Sequence, residues 1–202
     1  MATPRDLLMV TMDVPTSTPV DQEDLSLVLA AAELIDLLKV RVVGLESRHI
    51  VPGPHGVPAE HFLEQAAATL QLTEPYELIG DWLWRRDRAL ARSYTEALET
   101  DKLAAWQRPA GHRFRRREFT LIDSPARREA AERWAAADHV LVALAEAVGI
   151  KRDDRPSSAN VVDSSVATVL SALGGTLVRL KSAQREEHHR QGKFDDGWGL
   201  LE

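Results

Sequence analysis

The chain has 202 residues, 44% of them hydrophobic and 28% charged, no cysteine, and a net charge of −6. These values predict a soluble domain large enough to bury a core, and they exclude disulfides and thiolate chemistry. The apolar run in MATPRDLLMVTMDVP is cut by Asp13 and Pro15 and is too short for a secretory leader. No window reaches the ~18–20 apolar residues that span a bilayer, so a cytoplasmic protein is expected, with any membrane contact peripheral on the inner face.

Ala, Leu, Arg and Glu dominate and aromatics are 5%, which favours helices. Leu7–Met12 reads as helix or strand and is stopped by the turn-forming PTSTP at 15–19. From Gln22 to Val40 apolar residues recur at helical spacing, with Leu25, Val28, Leu29, Ala32, Ile35 and Leu38 as the inward stripe. Glu33 and Asp36 fall at the rim of that helix, with burial as the alternative. Residues 41–45 and 47–51 are extended, PGPHGVP at 52–58 is a loop, and Glu60–Leu72 is a helix. Glu74-Pro75 opens the next helical pattern, through Leu78, Ile79, Trp82 and Leu83, then Ala89, Leu90, Tyr94, Ala97 and Leu98 to about Thr100. A division near Asp87 is compatible with it.

Leu103–Gln107 and Arg113–Ile122 are strands of a hairpin around RPAGH at 108–112. Ser124 followed by Pro125 is an N-cap signal for a helix over 125–137, and His139–Val148 is a second, strongly apolar one. After a charged loop at 151–158, Asp163–Leu180 forms the last helix, weakened at Gly174-Gly175 by roughly 1 kcal/mol per glycine. The domain is placed at 1–181. The tail, 182–202, is polar, and is either disordered or a local clamp.

Charge is not spread evenly along this chain. Between Arg85 and Arg117 stand nine Arg and one Lys against four acids, a local +6 that leaves −12 on the remainder. Such an island points to a local role, since solubility needs no clustering. Arg85, Arg88 and Arg92, at i, i+3 and i+7, share one helical face, with Arg86 beside it. They are the candidate anion or lipid site, because guanidinium forks suit phosphate. A solvated face paired to Asp81, Asp87 and Glu96 is the plainer reading. Trp106, Arg108, His112, Arg113, Arg115, Arg116 and Arg117 are the candidate contacts of the hairpin, or the charges that protect an edge strand. Trp82 belongs to the core, whereas Trp84 and Trp106 suit either a rim or an interface.

No reaction is legible. HExxH, GxSxG, P-loop and GxGxxG motifs are absent and the seven histidines lack metal-ligand spacing, so neither metal nor cofactor is expected. An acidic chain without a stacking platform argues against nucleic acid.

The order of segments has a counterpart. DLLMVTMD at the start, LAAAELIDLLKVRV at 29–42, HFLEQAAATL at 61–70, ELIGDWLWRRDRALARSYTEALETDKL at 77–103, RFRRREFTLIDSPARREAAERW at 113–134 and LVALAEAVGI at 141–150 resemble the Golgi phosphoprotein 3 family, more closely its actinobacterial members. The resemblance covers roughly residues 5–150 and implies a mainly α, single helical domain with one projecting β-hairpin. It also implies an adaptor that binds phosphatidylinositol 4-phosphate in a basic pocket, inserts its hairpin into membrane and retains glycosyltransferases. In those relatives a tryptophan and an arginine near the first long helix complete the pocket. Here 20–29 holds neither, but Asp21, Glu23 and Asp24, so only the half supplied by Arg85, Arg86, Arg88 and Arg92 carries over. The hairpin tip, 108–113, is basic where the relatives are apolar.

The expected function is therefore a non-enzymatic peripheral adaptor binding an anionic lipid headgroup or an acidic partner protein. The alternatives are an enzyme or accessory factor of a biosynthetic pathway with a small-molecule pocket, and a scaffold that forms a homo-oligomer through the hairpin.

Overall fold

The computed structural model describes residues 2–16, 18–56, 60–86, 89–107, 118–152 and 163–198, with the backbone alone from 188 onward. The expected mainly helical domain is found. Among the described residues there are eight helices and two short antiparallel strand pairs, β1–β2 and β3–β4.

The fold is built around α2 (Gln22–Lys39). Every residue from Asp24 to Leu37 is buried, so the expected inward stripe is in fact a helix enclosed on all sides. Asp21 caps its start, accepting hydrogen bonds from the N–H groups of Glu23 and Asp24. Around it pack α1 (Thr3–Asp13), α3 (His61–Ala68), α4 (Ile79–Arg85), α5 (Leu90–Thr100), α7 (His139–Ala147) and α8 (Ser164–Trp198). The opening apolar segment is therefore helix. Ala2 gives α1 no side-chain cap. Instead Asp36 of α2 accepts from the Thr3 N–H at 2.7 Å and the Thr3 hydroxyl at 2.6 Å, capping one helix from another.

The chain leaves α2 through Arg41 at φ 58; the Val42 N–H reaches Leu37 O and the Arg41 N–H reaches Leu38 O. Lys102 after α5 and Ala137 after α6 (Pro125–Ala135) take the same left-handed geometry, without the glycine that usually occupies it. β1 (Val43–Glu46) and β2 (His49–Pro52) then pair, with Leu45 opposite Ile50. Gly53 is required here: a Cβ would lie 2.2 Å from Arg41 O. The segment after α3 was expected to become helical at Glu74-Pro75. It runs extended against β2 instead, the Ile50 N–H bonding to Glu77 O and the Ile79 N–H to Arg48 O, which delays α4 to Ile79.

β3 (Ala104–Gln107) and β4 (Glu118–Leu121) pair with Trp106 opposite Phe119. Residues 108–117, expected to supply the turn and the start of the second strand, lie outside the described residues. Ser124 caps α6 (Pro125–Ala135) through the Arg127 N–H at 3.2 Å, with Pro125 in the first turn as its sequence announces. α8 buries Val166, Val169, Ala172, Leu173, Thr176, Leu177 and Leu180 against the core. Its helical backbone does not stop there but continues through the expected tail to Trp198. Lys181 pairs with Asp24 at 3.4 Å, and Gln184 donates to Glu23 at 2.8 Å.

Candidate functional site

Among the described residues, Arg85, Arg86 and Arg92 do not share one helical face. α4 ends at Arg85 and α5 begins at Leu90, so the i, i+3, i+7 relation of a continuous helix does not hold. Arg88 and Asp87 lie outside the described residues. The other three arginines take separate positions.

Arg86 turns inward. As C-cap of α4 it has extended backbone, φ −57 and ψ 135, and its side chain is buried. Nε donates to one Glu33 oxygen at 2.9 Å and Nη2 to the other at 3.1 Å, a bidentate fork. The Tyr94 hydroxyl donates to the same carboxylate at 3.1 Å, and its ring stacks on Phe62 at 4.0 Å. Burial pushes the Glu33 carboxyl above its usual range, while Arg86 and then Tyr94 pull it back. Burial, with Glu33 beside it, drives the Tyr94 phenol far above its ordinary value. Arg86 is thus a buried charge already matched by its partner.

Arg85 reaches the other way. Its Nη2 donates to Thr69 O at 2.7 Å and to Glu77 at 2.8 Å, tying the end of α3 to the segment along β2. Arg92, on α5, is exposed and pairs with exposed Glu96 one turn on at 2.8 Å, an arrangement that contributes about 0.3–0.5 kcal/mol.

Two clefts adjoin these residues. The smaller, with a volume of only about 20 Å³, is lined by Glu23, Ser26, Leu27, Trp84, Arg86 and Leu180. Its guanidinium is neutralised by Glu33 and its rim carries Glu23, so its charge does not favour an anion. Trp84 forms one wall, with the Arg179 guanidinium 5.3 Å from its ring. The larger is an open groove of about 870 Å³ between α1, the start of α2, α5 and the β3–β4 pair, and it includes Arg92, Trp106 and Phe119. Trp106 is 54% exposed, its ring 5.2 Å from that of Phe119. Trp82, by contrast, is fully buried and donates to Thr69 Oγ1 at 3.1 Å.

The remaining hairpin candidates, Arg108, His112, Arg113, Arg115, Arg116 and Arg117, lie outside the described residues, and Trp106 leads into them. Glu33 and Asp36 are not rim residues, since both are buried. A signal for this was present: from Leu27 to Leu38 every residue but these two acids is apolar, so the helix offers no wet side there. Among the described residues no three of His, Cys, Asp and Glu gather in metal-binding geometry. Among them, too, no helix is long and apolar enough to cross a membrane.

No curated protein matches the chain. The family model described as Golgi phosphoprotein 3 (GPP34) matches residues 4–191, nearly the whole helical assembly. By that match the chain belongs to the Golgi phosphoprotein 3 family.

Proposed function

We propose that the protein is a non-enzymatic peripheral adaptor that meets an anionic lipid surface through its arginine hairpin. The observation that carries this reading is Trp106, exposed on β3 with its ring tilted against that of Phe119. An aromatic with one wet edge suits a membrane–water boundary. Immediately after it, 108–117 holds five arginines and one histidine with no acid. A run of that composition is attracted to an anionic leaflet by about 1 kcal/mol per arginine near the surface. Arg92 borders the same groove. Arg85 and Arg86 act as supports, one fastening the loop after α3 and the other bracing α4 against α2.

Flotation with vesicles of phosphatidylcholine, with and without phosphatidylglycerol, tests the reading. The chain should float only with the anionic lipid. Replacing Arg113, Arg115, Arg116 and Arg117 together by Gln should weaken binding by about a thousandfold, from the summed attraction of four charges. Equal flotation of that variant, or no flotation of the wild type, would overturn the proposal. Capture by an acidic protein surface instead would point to a protein partner.

A further inference from the structure

We infer that the groove between the end of α2, β1 and the starts of α7 and α8 binds a short apolar peptide with free ends, of dipeptide size. The groove has a volume of about 450 Å³, within the range of about 300–1,000 Å³ common to small-molecule sites. Leu38, Val43, Val140 and Val166 give it an apolar lining, the last three of them buried. Its rim carries charges of both signs. Lys39 and Arg41 come from the end of α2 and the turn after it, while Asp138 and Asp163 precede α7 and α8 and cap their first turns.

Those charges are not equally available. Both Asp138 oxygens are engaged: Oδ1 accepts from the Val140 and Leu141 N–H groups at 3.1 and 2.9 Å, and Oδ2 from Arg133 at 3.0 Å. Lys39 stands 3.4 Å from Asp36, a carboxylate that Thr3 already occupies. Among the described residues neither Arg41 nor Asp163 makes an ion pair, and Asp163 Oδ1 accepts only the Ser165 N–H, at 2.7 Å. One cation and one carboxylate on different elements therefore remain around an apolar lining. A simple anion would meet Asp163 as a like charge, and a simple amine would meet Arg41. A zwitterion with an apolar body satisfies both. The carboxylate of a peptide matches the Arg41 fork, with Lys39 beside it, and its ammonium matches Asp163. His139 and Ser165 on the same rim offer hydrogen bonds to the amide between the two ends. Arg41 is also fixed in place: its backbone lies at φ 58 and its carbonyl accepts the His55 N–H at 3.1 Å.

Chemical-shift titration of the nitrogen-labelled full chain with leucyl-leucine tests the assignment, read at the amides of Gly44, Val140 and Ser165. N-acetyl-leucyl-leucine lacks the ammonium, leucyl-leucinamide lacks the carboxylate, and glycylglycine lacks the apolar body. Removing either charged end should weaken binding about tenfold, and removing the body about a hundredfold. Asn accepts left-handed backbone, so Arg41→Asn should fold and should bind leucyl-leucine no more tightly than leucyl-leucinamide. Asp163→Asn keeps the cap and should abolish the preference for leucyl-leucine over its acetylated form. It serves if Arg41→Asn loses cooperative melting. No binding of leucyl-leucine, equal affinity for any of the three altered probes, or preferences untouched in a folded variant overturns the inference. Tight binding of the acetylated form alone would make this a site for plain carboxylates, which overturns it as well.

Discussion

Arg86 and Glu33 bear on stability more directly than on binding. Each is buried, each is the other's main partner, and Tyr94 fills a further site on the carboxylate. Removing one member leaves an uncompensated charge in the core, which costs about 3–5 kcal/mol. Arg86→Met and Glu33→Leu should each, alone, lower the urea midpoint by that equivalent. The double replacement Arg86→Met with Glu33→Leu should cost far less than the sum, since an apolar pair needs no charge partner. Additive losses in that cycle would show that the two side chains do not act as a pair. Asp138 gives a pH test. Burial raises its pKa, but the Leu141 N–H and Arg133 outweigh this and hold it below its usual 3.8. A depressed carboxylate contributes stability above its unfolded value and loses it as pH falls through the folded one. Asp138→Asn keeps an N-cap but drops the charge. The gap between wild type and variant should therefore be present at pH 7 and shrink as pH falls below about 4, measured by denaturant titration at each pH.

Individual elements show how far the order of residues could be followed. α6 was legible because its signals are local: Ser124, then Pro125, then a helical run. The enclosure of α2 was not, since periodicity assumes a wet face and this helix has none. The helical relation expected between Arg85 and Arg92 ends where α4 stops at Arg85, because Arg86 leaves the helix to reach a residue 53 positions earlier. No local pattern encodes that contact. The pairing of 77–79 with β2 is likewise long-range and overrode a proline that reads as a helix start. The tail was read by polarity alone, although Lys, Ala, Gln, Arg and Glu at 181–187 are good helix formers that extend α8.

α8 also contains a prediction of its own. At Gly174 and Gly175 a Cβ would meet no atom within 4 Å, in plain helical backbone. Gly→Ala at either position should stabilise by about 0.5–1 kcal/mol and raise the melting temperature. Gly53→Ala, which would drive a Cβ into Arg41 O, should lower it.

At the scale of the molecule the charge is divided. The helical body is acidic, and the positive charge is concentrated between Arg85 and Arg117. Within that stretch Arg85 and Arg86 are tied to carboxylates, while 108–117 carries no acid in its sequence. Binding carried by the hairpin should fall steeply with ionic strength, because exposed charges are screened over about 8 Å at physiological salt. Vesicle flotation over a salt series measures this. A flat profile would assign the contact to apolar burial alone.

A helix with neighbours on every side has one more consequence. No fraying end or loosened surface strip lets water reach the amides between Leu25 and Leu37 one at a time. Deuterium should enter them only when the whole assembly comes apart, so their protection should equal the free energy of complete unfolding. Slow exchange along α2 would thus report the stability of the entire protein.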